Sequence, residues 1–453
     1  MREDRYFIHC VGSTSAEAII SRTMPLFDHK TAENITSRFG NEIRRSVGIF
    51  RRVSNKPVFF PMGVLPIDAR LVNSWAQDIL RLKKLICGLR HRMSLTVDEY
   101  CDLFSIPTNL RPIACSRELA FPSEYFRPDC ILTTSGPKVL EFNIDPGSMV
   151  FIAGMAPKNF YRSIPGMDSF LKKLSASGLD GSFWAERSFL SHLLRLDSIG
   201  RRICIWDVPG REKEQAKERE IELDYFRRTG LEVELIEGGD IVDKISREMY
   251  VFRYFSYNHF LLSRKYFDSS YIRVFDDFSE TNDISGSSVV FDNKQNLALL
   301  WTTKVQHYLD SKELELVKRY IPRTYQSSTQ DEVLLHRVRN NRESWIIKGG
   351  NGFQGRNTSA GQDCSEAEWG SFFCEAQKNG DAVFQEVVAP ISIPVFLTDG
   401  TNQYPQAGGH IANFYYVNDR FSGLVFRLKR DGKGLKIGAI NAGDVVAALP
   451  LLV

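Results

Sequence analysis

The stretch from Arg127 to Asp145 most constrains how this chain can fold. It reads RPDCILTTSGPKVLEFNID, two β-type runs joined by a Ser-Gly-Pro turn. In the second run Glu141 and Asn143 alternate with apolar residues. Because side chains two apart share one face of a strand, one face is apolar and the other carries oxygen donors. The stretch is therefore predicted to be a β-hairpin with one packed face and one polar face.

The length of the hairpin loop decides which residues of the first strand share the polar face. A three-residue loop (135–137) would place Asp129 opposite Glu141 or Asn143, whereas a two-residue loop would turn Asp129 away. Under the first assumption two carboxylates and an amide oxygen lie together. Such donors suit Mg²⁺ shared with nucleotide phosphates. An exposed polar hairpin face without a ligand is the alternative interpretation.

These residues resemble the metal-binding hairpin of ATP-grasp ligases, in the circularly permuted branch typified by glutathionylspermidine synthases. The shared features are an Arg two residues before an Asp, a Glu twelve residues on, and a Glu-x-Asn pair. The resemblance implies that Asp129, Glu141 and Asn143 hold Mg²⁺ ions and that Arg127 stabilises negative charge in the transition state. It also implies that the lysines and the glycine loop that bind ATP lie downstream.

A downstream segment has the order strand, lysine, glycine-rich loop. In SWIIKGGNGFQGRNTSAG, Lys348 ends an apolar run and precedes the glycines. Glycine allows backbone N–H groups to approach phosphate oxygens closely, and lysine adds a positive charge. No Walker sequence GK(S/T) follows, and an ordinary hairpin loop is the alternative. The resemblance makes the following residues candidate nucleotide contacts: Lys304, near the start of a predicted helix, and Lys348, Gly350, Gly352, Gln354 and Gly355.

Two later segments continue the family order. DAVFQEVVAP is a predicted strand that enters a hinge. In the family this hinge holds the adenine, so Gln385, Glu386 and Val387 are candidate adenine contacts; an ordinary edge strand is the alternative. The segments GLVFR, ending at Arg427, and NAG, beginning at Asn441, resemble the closing part of permuted ATP-grasp proteins. The resemblance implies that Arg427 reaches phosphate or acyl-phosphate oxygens and that Asn441 borders the substrate.

The middle of the chain is predicted to be an open sheet flanked by helices. ICIW (203–206), a charged helix ending at Gly230 and LEVELIE (231–237) form one βαβ unit, and MYVFRYFSYNHF is a third apolar run. The turn after the first strand lacks GxGxxG, which argues against an NAD or FAD domain. By the resemblance this is a Rossmann-like substrate domain, in which Arg253 grips a substrate carboxylate or phosphate. A structural ion pair at Arg253 is the alternative.

The composition is that of a soluble globular protein. The chain has 453 residues, 43% of them hydrophobic and 25% charged, which is enough for two or three domains. A net charge of +3 gives no argument for nucleic acid or membrane partners. The eight cysteines show no zinc-site spacing, and no apolar run is long enough to span a membrane. We expect a cytoplasmic protein with reduced thiols. The sequence leaves open whether the chain forms a homodimer.

The predicted fold class is α/β with α+β elements: a circularly permuted ATP-grasp fold with a Rossmann-like domain and an N-terminal accessory region. Residues 1–115 are the accessory or cap region, with a helical pattern over 71–93. Residues 116–164 carry the metal hairpin, 165–280 form the Rossmann-like domain, and 281–453 form the ATP-binding domain.

The resemblance implies an ADP-forming, ATP-dependent ligase with ATP and Mg²⁺ as cofactors. It would join a small-molecule carboxylate to an amine through an acyl phosphate, on an amino acid or short peptide in a biosynthetic pathway. The first 120 residues match no amidase domain with an N-terminal Cys nucleophile, so glutathionylspermidine itself is not the expected product. Three alternatives remain: loading of an amino acid onto a carrier-protein thiol, a non-catalytic nucleotide-binding protein, and an α/β protein that does not use ATP.

Overall fold

A computed structural model describes much of the chain from residue 60 onward. The described residues are 60–61, 65–106, 108, 111, 125–144, 151, 154–155, 183–193, 202–207, 213–238, 241–245, 249–254, 288–350, 357–391, 395–398, 403–406, 409–429, 445–448 and 450–452. Residues 1–59 of the predicted accessory region lie outside them. No helix within these ranges is both long and apolar enough to cross a membrane.

Strands and helices alternate along the described residues, which gives a mixed α/β structure with several sheets. The strands are β1 (Phe60–Pro61), β2 (Leu65–Ile67), β3 (Arg127–Thr133), β4 (Gly136–Asn143), β5 (Arg202–Asp207), β6 (Glu232–Glu237), β7 (Met249–Arg253), β8 (Thr324–Gln326), β9 (Trp345–Gly349), β10 (Thr358–Ala360), β11 (Ala382–Glu386), β12 (Val395–Thr398), β13 (Gln403–Gln406), β14 (His410–Val417), β15 (Arg420–Lys429), β16 (Val445–Ala448) and β17 (Pro450–Leu452). The helices are α1 (Ala69–Arg92), α2 (Val97–Leu103), α3 (Ala185–Leu193), α4 (Lys213–Arg228), α5 (Ile241–Lys244), α6 (Ser288–Phe291), α7 (Gln295–Leu299), α8 (Thr303–Gln306), α9 (Ser311–Tyr320), α10 (Glu332–Asn340) and α11 (Glu366–Asn379).

Helix α1 confirms the helical pattern predicted over 71–93. The Asp68 carboxylate accepts the N–H groups of Arg70 and Leu71, which caps the first turn. Apolar residues at helical spacing then bury one side of the helix. This side packs in the same hydrophobic core as the central sheet.

The central sheet has the strand order β16-β15-β14-β3-β4, and all neighbours are antiparallel. Phe126, Val139, Phe414 and Leu424 belong to the core beneath one face, which also contains apolar residues of α1 and α9. The sequence alternation places the polar residues of β3, β4, β14 and β15 on the other face. The sheet therefore has one packed face and one face that carries charge, as predicted for its hairpin.

The hairpin of β3 and β4 has the shorter of the two loops considered from the sequence. Thr133 pairs with Gly136, so residues 134 and 135 form a two-residue loop, and the assumption of a three-residue loop is wrong. Gly136 has a φ of 110°, which glycine adopts without strain, and the second strand can begin directly after the turn. With this loop alone, Asp129 would face away from Glu141.

A β-bulge corrects the facing of the two hairpin strands. Cys130 pairs with Val139, as the loop dictates. The next pair is Asp129 with Glu141, and Leu140 has no partner in the register. Because an inserted residue shifts one strand by one position, Asp129 and Glu141 lie directly opposite each other on the same face. The predicted juxtaposition is confirmed, but its cause is the bulge and not the loop.

A second antiparallel sheet has the order β10-β9-β11-β8. Its own apolar core lies under α10 and α11 and includes Trp345, Trp369, Phe373 and Phe384. Ser365 begins α11 with a capping box, and Gly380 ends it with a φ of 70°. This sheet carries Lys348 on β9 and the predicted hinge on β11.

The predicted βαβ unit is confirmed. Strands β5 and β6 are parallel, α4 connects them, and the chain turns at Gly230, whose φ is 84°. The third run, β7, pairs in parallel on the other side of β5, so the sheet order is β6-β5-β7. The structure therefore contains an open parallel sheet where the sequence predicted one.

Two small sheets complete the described fold. One has the order β1-β12-β13, and the other is the parallel pair β2 and β17, with Leu65 beside Pro450. Strands β12 and β13 are antiparallel to each other, as are β14 and β15, but the two pairs lie in different sheets.

Candidate active site

Charged and amide side chains gather on the polar face of the central sheet and at its border with the second sheet. Most are buried or nearly so, although charged residues are rarely buried unless they are paired. We call this group the hairpin cluster. Its members are Arg127, Asp129, Glu141, Asn143, Lys294, Lys348, Asn413 and Arg427.

Asp129 lies at the centre of the hairpin cluster. Its Oδ1 accepts N–H groups from Arg127 Nε at 3.2 Å and Asn143 Nδ2 at 3.2 Å. The same oxygen accepts Asn413 Nδ2 at 2.6 Å. Its Oδ2 forms an ion pair with Arg427. The carboxylate therefore has nitrogen partners on both oxygens, from three different strands besides its own.

The cations around Asp129 are themselves held in place. Arg427 Nε donates to Asn413 Oδ1 at 2.9 Å, so Asn413 links the arginine to the carboxylate. Burial opposes a charge on Arg127, but Asp129 raises the pKa of its guanidinium, and Tyr415 also hydrogen-bonds to it. These contacts fix both guanidinium groups on the sheet face.

Glu141 is paired with a lysine that follows α6. Lys294 Nζ lies 3.1 Å from Glu141 Oε2, and the lysine side chain is 8% exposed. Burial alone would raise the pKa of Glu141, but the charges of Lys294 and Lys348 lower it to about 2. Glu141 is therefore a carboxylate at all physiological pH values.

Lys348 joins the second sheet to the hairpin. Its Nζ donates to Gln385 Oε1 at 2.8 Å and contacts Leu140 O at 3.4 Å. Gln385 Nε2 also contacts Leu140 O at 3.4 Å, so the side chains of Lys348 and Gln385 both contact the carbonyl of the bulge residue. Burial lowers the pKa of Lys348 to about 8, against the opposing effect of Glu141. The bulge thus marks the point where the two sheets meet.

The glycine loop begins at a tightly packed position. Gly350 N–H donates to Asp381 O at 2.7 Å, and Gly350 O accepts the N–H of Lys294 at 2.8 Å. Gly349 N–H donates to Asn357 O at 2.9 Å and closes the base of the loop. Three predicted phosphate contacts, Gly352, Gln354 and Gly355, lie outside the described residues, as does Asn441.

The predicted hinge is tied to its neighbours through its backbone. Glu386 N–H donates to Arg323 O at 2.9 Å, and Val387 N–H donates to Ser344 O at 2.9 Å. Gln385 turns its side chain to Lys348. These residues lie beside the hairpin cluster, and their contact with adenine stays a prediction.

Two predicted residues lie apart from the hydrogen bonds of the hairpin cluster. Lys304 is exposed on α8. The pKa of Glu99 is lowered by its hydrogen bonds to Thr96 and, more weakly, by the Lys304 charge. No hydrogen bond or ion pair connects Lys304 with the hairpin cluster in the part of the chain that the structure describes. Arg253 is fully buried at the end of β7, in the parallel sheet. Their roles in nucleotide and substrate binding stay predictions.

Sequence reasoning missed two members of the hairpin cluster, Lys294 and Asn413. Asn413 lies in HIANFYYV, a strand that is otherwise largely apolar and is buried along its whole length. A buried amide needs partners, so its position in such a run was a usable signal. Lys294 lies in FDNKQNLALL and belongs to no motif. Only the three-dimensional contact with Glu141 reveals it.

The residues predicted to hold Mg²⁺ do not fit an ion in the arrangement that the structure shows. Both oxygens of Asp129 accept N–H groups, Asn143 presents its Nδ2 to Asp129, and Glu141 is paired with Lys294. Among the described residues, no three His, Cys, Asp or Glu side chains converge as a metal-binding group. A divalent cation could bind these oxygens only after the nitrogen donors had moved away.

The charge of the hairpin cluster suits an anion. It contains four cationic side chains and two carboxylates, and all of these are at least partly buried. Buried cations in excess of their carboxylates attract a negative ligand more strongly than the same charges would in water. The arrangement can therefore bind and polarise phosphate or carboxylate oxygens.

Comparison with known proteins gives a fold but no sequence family. No family model matches the chain, and no curated protein matches it. A similar solved structure is a glutathione synthetase-like effector from Globodera pallida in its apo form, with a TM-score of 0.52 at 10% identity. The match covers 94% of this chain and 98% of that one. The likeness therefore shows a shared fold.

A second solved structure is similar at a lower level. It is a protein proposed to be a gamma-glutamylcysteine synthetase, from Methylobacillus flagellatus, with a TM-score of 0.34 at 11% identity. The match covers 82% of this chain and 85% of that one. The likeness to the first structure is one of fold alone, so the ATP-grasp fold that the hairpin resembles stays a prediction. Circular permutation stays a prediction.

Proposed function

We propose that this protein is an ATP-dependent ligase that joins a carboxylate to an amine through an acyl phosphate. The observation that carries the proposal is the hairpin cluster, in which Arg127, Lys348 and Arg427 converge from two sheets beside the hairpin carboxylates. The fold shared with a glutathione synthetase-like protein supports the same class. Amino acids and short peptides are the proposed substrates.

The proposed reaction has two steps. The γ-phosphoryl group of ATP moves to an oxygen of the substrate carboxylate, and ADP leaves. The amine nitrogen then attacks the acyl carbon, loses a proton, and the phosphate leaves with the electrons of the broken C–O bond. Both steps bring anionic oxygens together, so fixed cations lower the barrier without a protein nucleophile. In this proposal Arg127, Lys348 and Arg427 supply the positive charge.

A small apolar group beside the hairpin cluster supports binding of a nucleotide base. Ile131, Leu140 and Ile411 form a buried cluster on the polar face of the central sheet, and Val388 packs against it. Val388 follows directly after the predicted hinge. Ligand pockets combine apolar walls with a few placed polar groups, and this group next to Lys348 has that character.

The first test is ATP binding by calorimetry. We expect Lys348→Ala and Arg427→Ala each to weaken ATP binding by at least about tenfold, because a charged hydrogen bond contributes on the order of 1.5–3 kcal/mol. Lys312→Ala, which removes an exposed lysine on α9, is the control and should change nothing. Absence of ATP binding to the native protein, with and without Mg²⁺, would overturn the proposal.

Turnover is tested by ADP release. Amino acids and peptides are offered in pairs of carboxylate and amine, and also with a carrier-protein thiol as acceptor. ADP release that needs both partners supports the ligase, and the acceptor that works separates amide formation from thiol loading.

A second candidate function is nucleotide binding without turnover. Its support is the pairing of both hairpin carboxylates with nitrogen donors, because such oxygens are neutralised before any substrate arrives. ATP binding without ADP release for any substrate pair would favour this candidate over the ligase.

A reducing compartment such as the cytoplasm is the proposed location. The described cysteines form no disulfide with one another: Cys87, Cys101, Cys130, Cys204, Cys364 and Cys374. Free thiols are typical of proteins in reducing compartments.

A further inference from the structure

Lys294 holds a position to which the proposed function assigns no role. Its Nζ lies 3.1 Å from Glu141 Oε2, and its side chain is 8% exposed. Lysine is almost never buried unless it is paired, and removal of one partner leaves an uncompensated charge. The pair is therefore part of the folded site and not a chance contact at the surface.

The backbone around Lys294 fixes where its ammonium group lies. Lys294 N–H donates to Gly350 O at 2.8 Å, at the start of the glycine loop. Asp292, two residues earlier, accepts the N–H of Ile144, the first residue after β4. The segment is thus attached to the glycine loop on one side and to the hairpin on the other, so Lys294 reaches Glu141 from a fixed base.

Asp129 has no oxygen without an N–H donor, so Glu141 is the hairpin carboxylate that remains for a further cation. Asp129 has N–H donors on both oxygens, two of them from arginines. A divalent cation at Glu141 would come within a few ångströms of the Lys294 ammonium. Like charges at that distance repel strongly in a partly buried site. Lysine and metal therefore compete for the same carboxylate.

We propose that the Lys294 ammonium is a built-in counter-ion at Glu141. It takes the place that the hairpin resemblance gives to a divalent cation, and triphosphate binding by this protein consequently depends little on Mg²⁺. The part about triphosphate rests on the proposed function. The counter-ion role itself can be measured without a nucleotide.

The first experiment is Mn²⁺ binding to the metal-free protein, followed by electron paramagnetic resonance. Lys294→Gln should gain Mn²⁺ affinity by at least about tenfold over the native protein, because Glu141 loses the cation that pairs with its Oε2. Lys294→Arg keeps the charge and should behave like the native protein. A matched control is Lys83→Gln, since Lys83 is also buried and pairs with Asp419 at 2.8 Å elsewhere in the fold; it should gain nothing.

The native protein decides the matter even if a variant does not fold. Saturable Mn²⁺ binding to native protein that Glu141→Gln abolishes would overturn the counter-ion role. An equal gain in Lys294→Gln and Lys83→Gln would overturn it too, because loosened structure and not the lost counter-ion would then explain the gain. Weak native binding with a gain confined to Lys294→Gln supports it.

The second experiment compares ATP affinity in Mg²⁺ and in EDTA. We expect a difference of less than about threefold for the native protein and of more than about tenfold for Lys294→Gln. A native difference above tenfold would overturn the inference and leave the proposed function standing. No ATP binding in either buffer would overturn the proposed function, while the Mn²⁺ titration would still decide the role of Lys294.

Discussion

Lys348 and Gln385 are hydrogen-bonded between neighbouring strands, Nζ to Oε1, at 2.8 Å in the protein interior. The lysine that the sequence assigned to phosphate is thus held by a neutral amide and by the carbonyl of Leu140. Burial lowers the pKa of the Lys348 ammonium to about 8, although Glu141 opposes this. Its charge can therefore be changed by a pH titration near neutrality.

ATP affinity should fall as the pH rises through the pKa of Lys348. Below about pH 8 the side chain is a cation and attracts phosphate, and above it the neutral amine does not. Binding of a fluorescent ATP analogue, measured between about pH 7 and pH 10, should show this fall. Arginine keeps its charge over the whole range, so Lys348→Arg should lose most of the pH dependence. Parallel curves for the two proteins would contradict the prediction.

Asn413→Ala should weaken ATP binding as well as stability. The amide links Asp129 to Arg427 through bonds of 2.6 and 2.9 Å, and its loss leaves buried partners unsatisfied at a cost of about 1–3 kcal/mol. Urea unfolding measures stability and calorimetry measures affinity. Tyr416→Phe is the control, because the Tyr416 hydroxyl is buried on the packed face of the sheet and donates to Ala76 O at 2.8 Å. It should lose stability but not affinity, and equal loss of affinity in both variants would refute a specific role for Asn413.

Gly350→Ala should destabilise the protein by roughly 1–3 kcal/mol. A Cβ at this position would lie 2.5 Å from Asp381 O and 2.7 Å from Asn293 Oδ1, so the backbone must shift. Gly370→Ala is the control, since a Cβ on that helix meets nothing within 4 Å. It should stabilise by about 0.5–1 kcal/mol, because alanine favours a helix. Urea midpoints that move in the same direction for both variants would show that Gly350 is not packed as described.

His410→Gln should make the protein less sensitive to acid. Burial lowers the pKa of His410 to about 3, and its Nε2 accepts the N–H of Leu132 at 3.0 Å. Between about pH 3 and pH 6.5 the unfolded chain binds a proton that the folded chain does not, so native stability falls as the pH falls through this window. The contribution is on the order of 5 kcal/mol. Denaturant unfolding at several pH values measures it.

The acid prediction has an exposed histidine as its control. His91→Gln should leave the pH dependence unchanged, because His91 is exposed on α1. If the native protein, His410→Gln and His91→Gln lose stability equally on acidification, then His410 is not the group that titrates.

Several elements of the fold could be predicted from local periodicity in the sequence. The alternation after Gly136 predicted β4, and the run of apolar residues over 71–93 predicted α1. Such patterns are visible because a strand or helix places its own neighbours in a fixed geometry. The hairpin cluster is different, since Asn413 contacts Asp129 across 284 positions and nothing local encodes that contact.

The remaining errors have physical causes. A three-residue loop would place Asp129 opposite Glu141, but a two-residue loop followed by a bulge does the same. Residue propensities do not distinguish these two arrangements. Gly350 was predicted as a nucleotide contact from the glycine pattern alone, and that pattern does not reveal that it lies between Asp381 and Asn293 in a space too small for a methyl group. Lys294 carries no motif, because its role depends on a tertiary ion pair.

The bulge also has a consequence for how related chains are compared. With a two-residue turn, residues that face each other in a regular hairpin are an odd number of positions apart, as are Thr133 and Gly136. Asp129 and Glu141 are separated by an even number, and Leu140 supplies the difference. Deletion of Leu140 would keep both carboxylates and still place Asp129 and Glu141 opposite each other, now in a regular strand pair. It would remove the Leu140 carbonyl that Lys348 and Gln385 contact. A one-residue gap in an alignment at this point therefore changes how the two sheets are joined, even where every charged residue is retained.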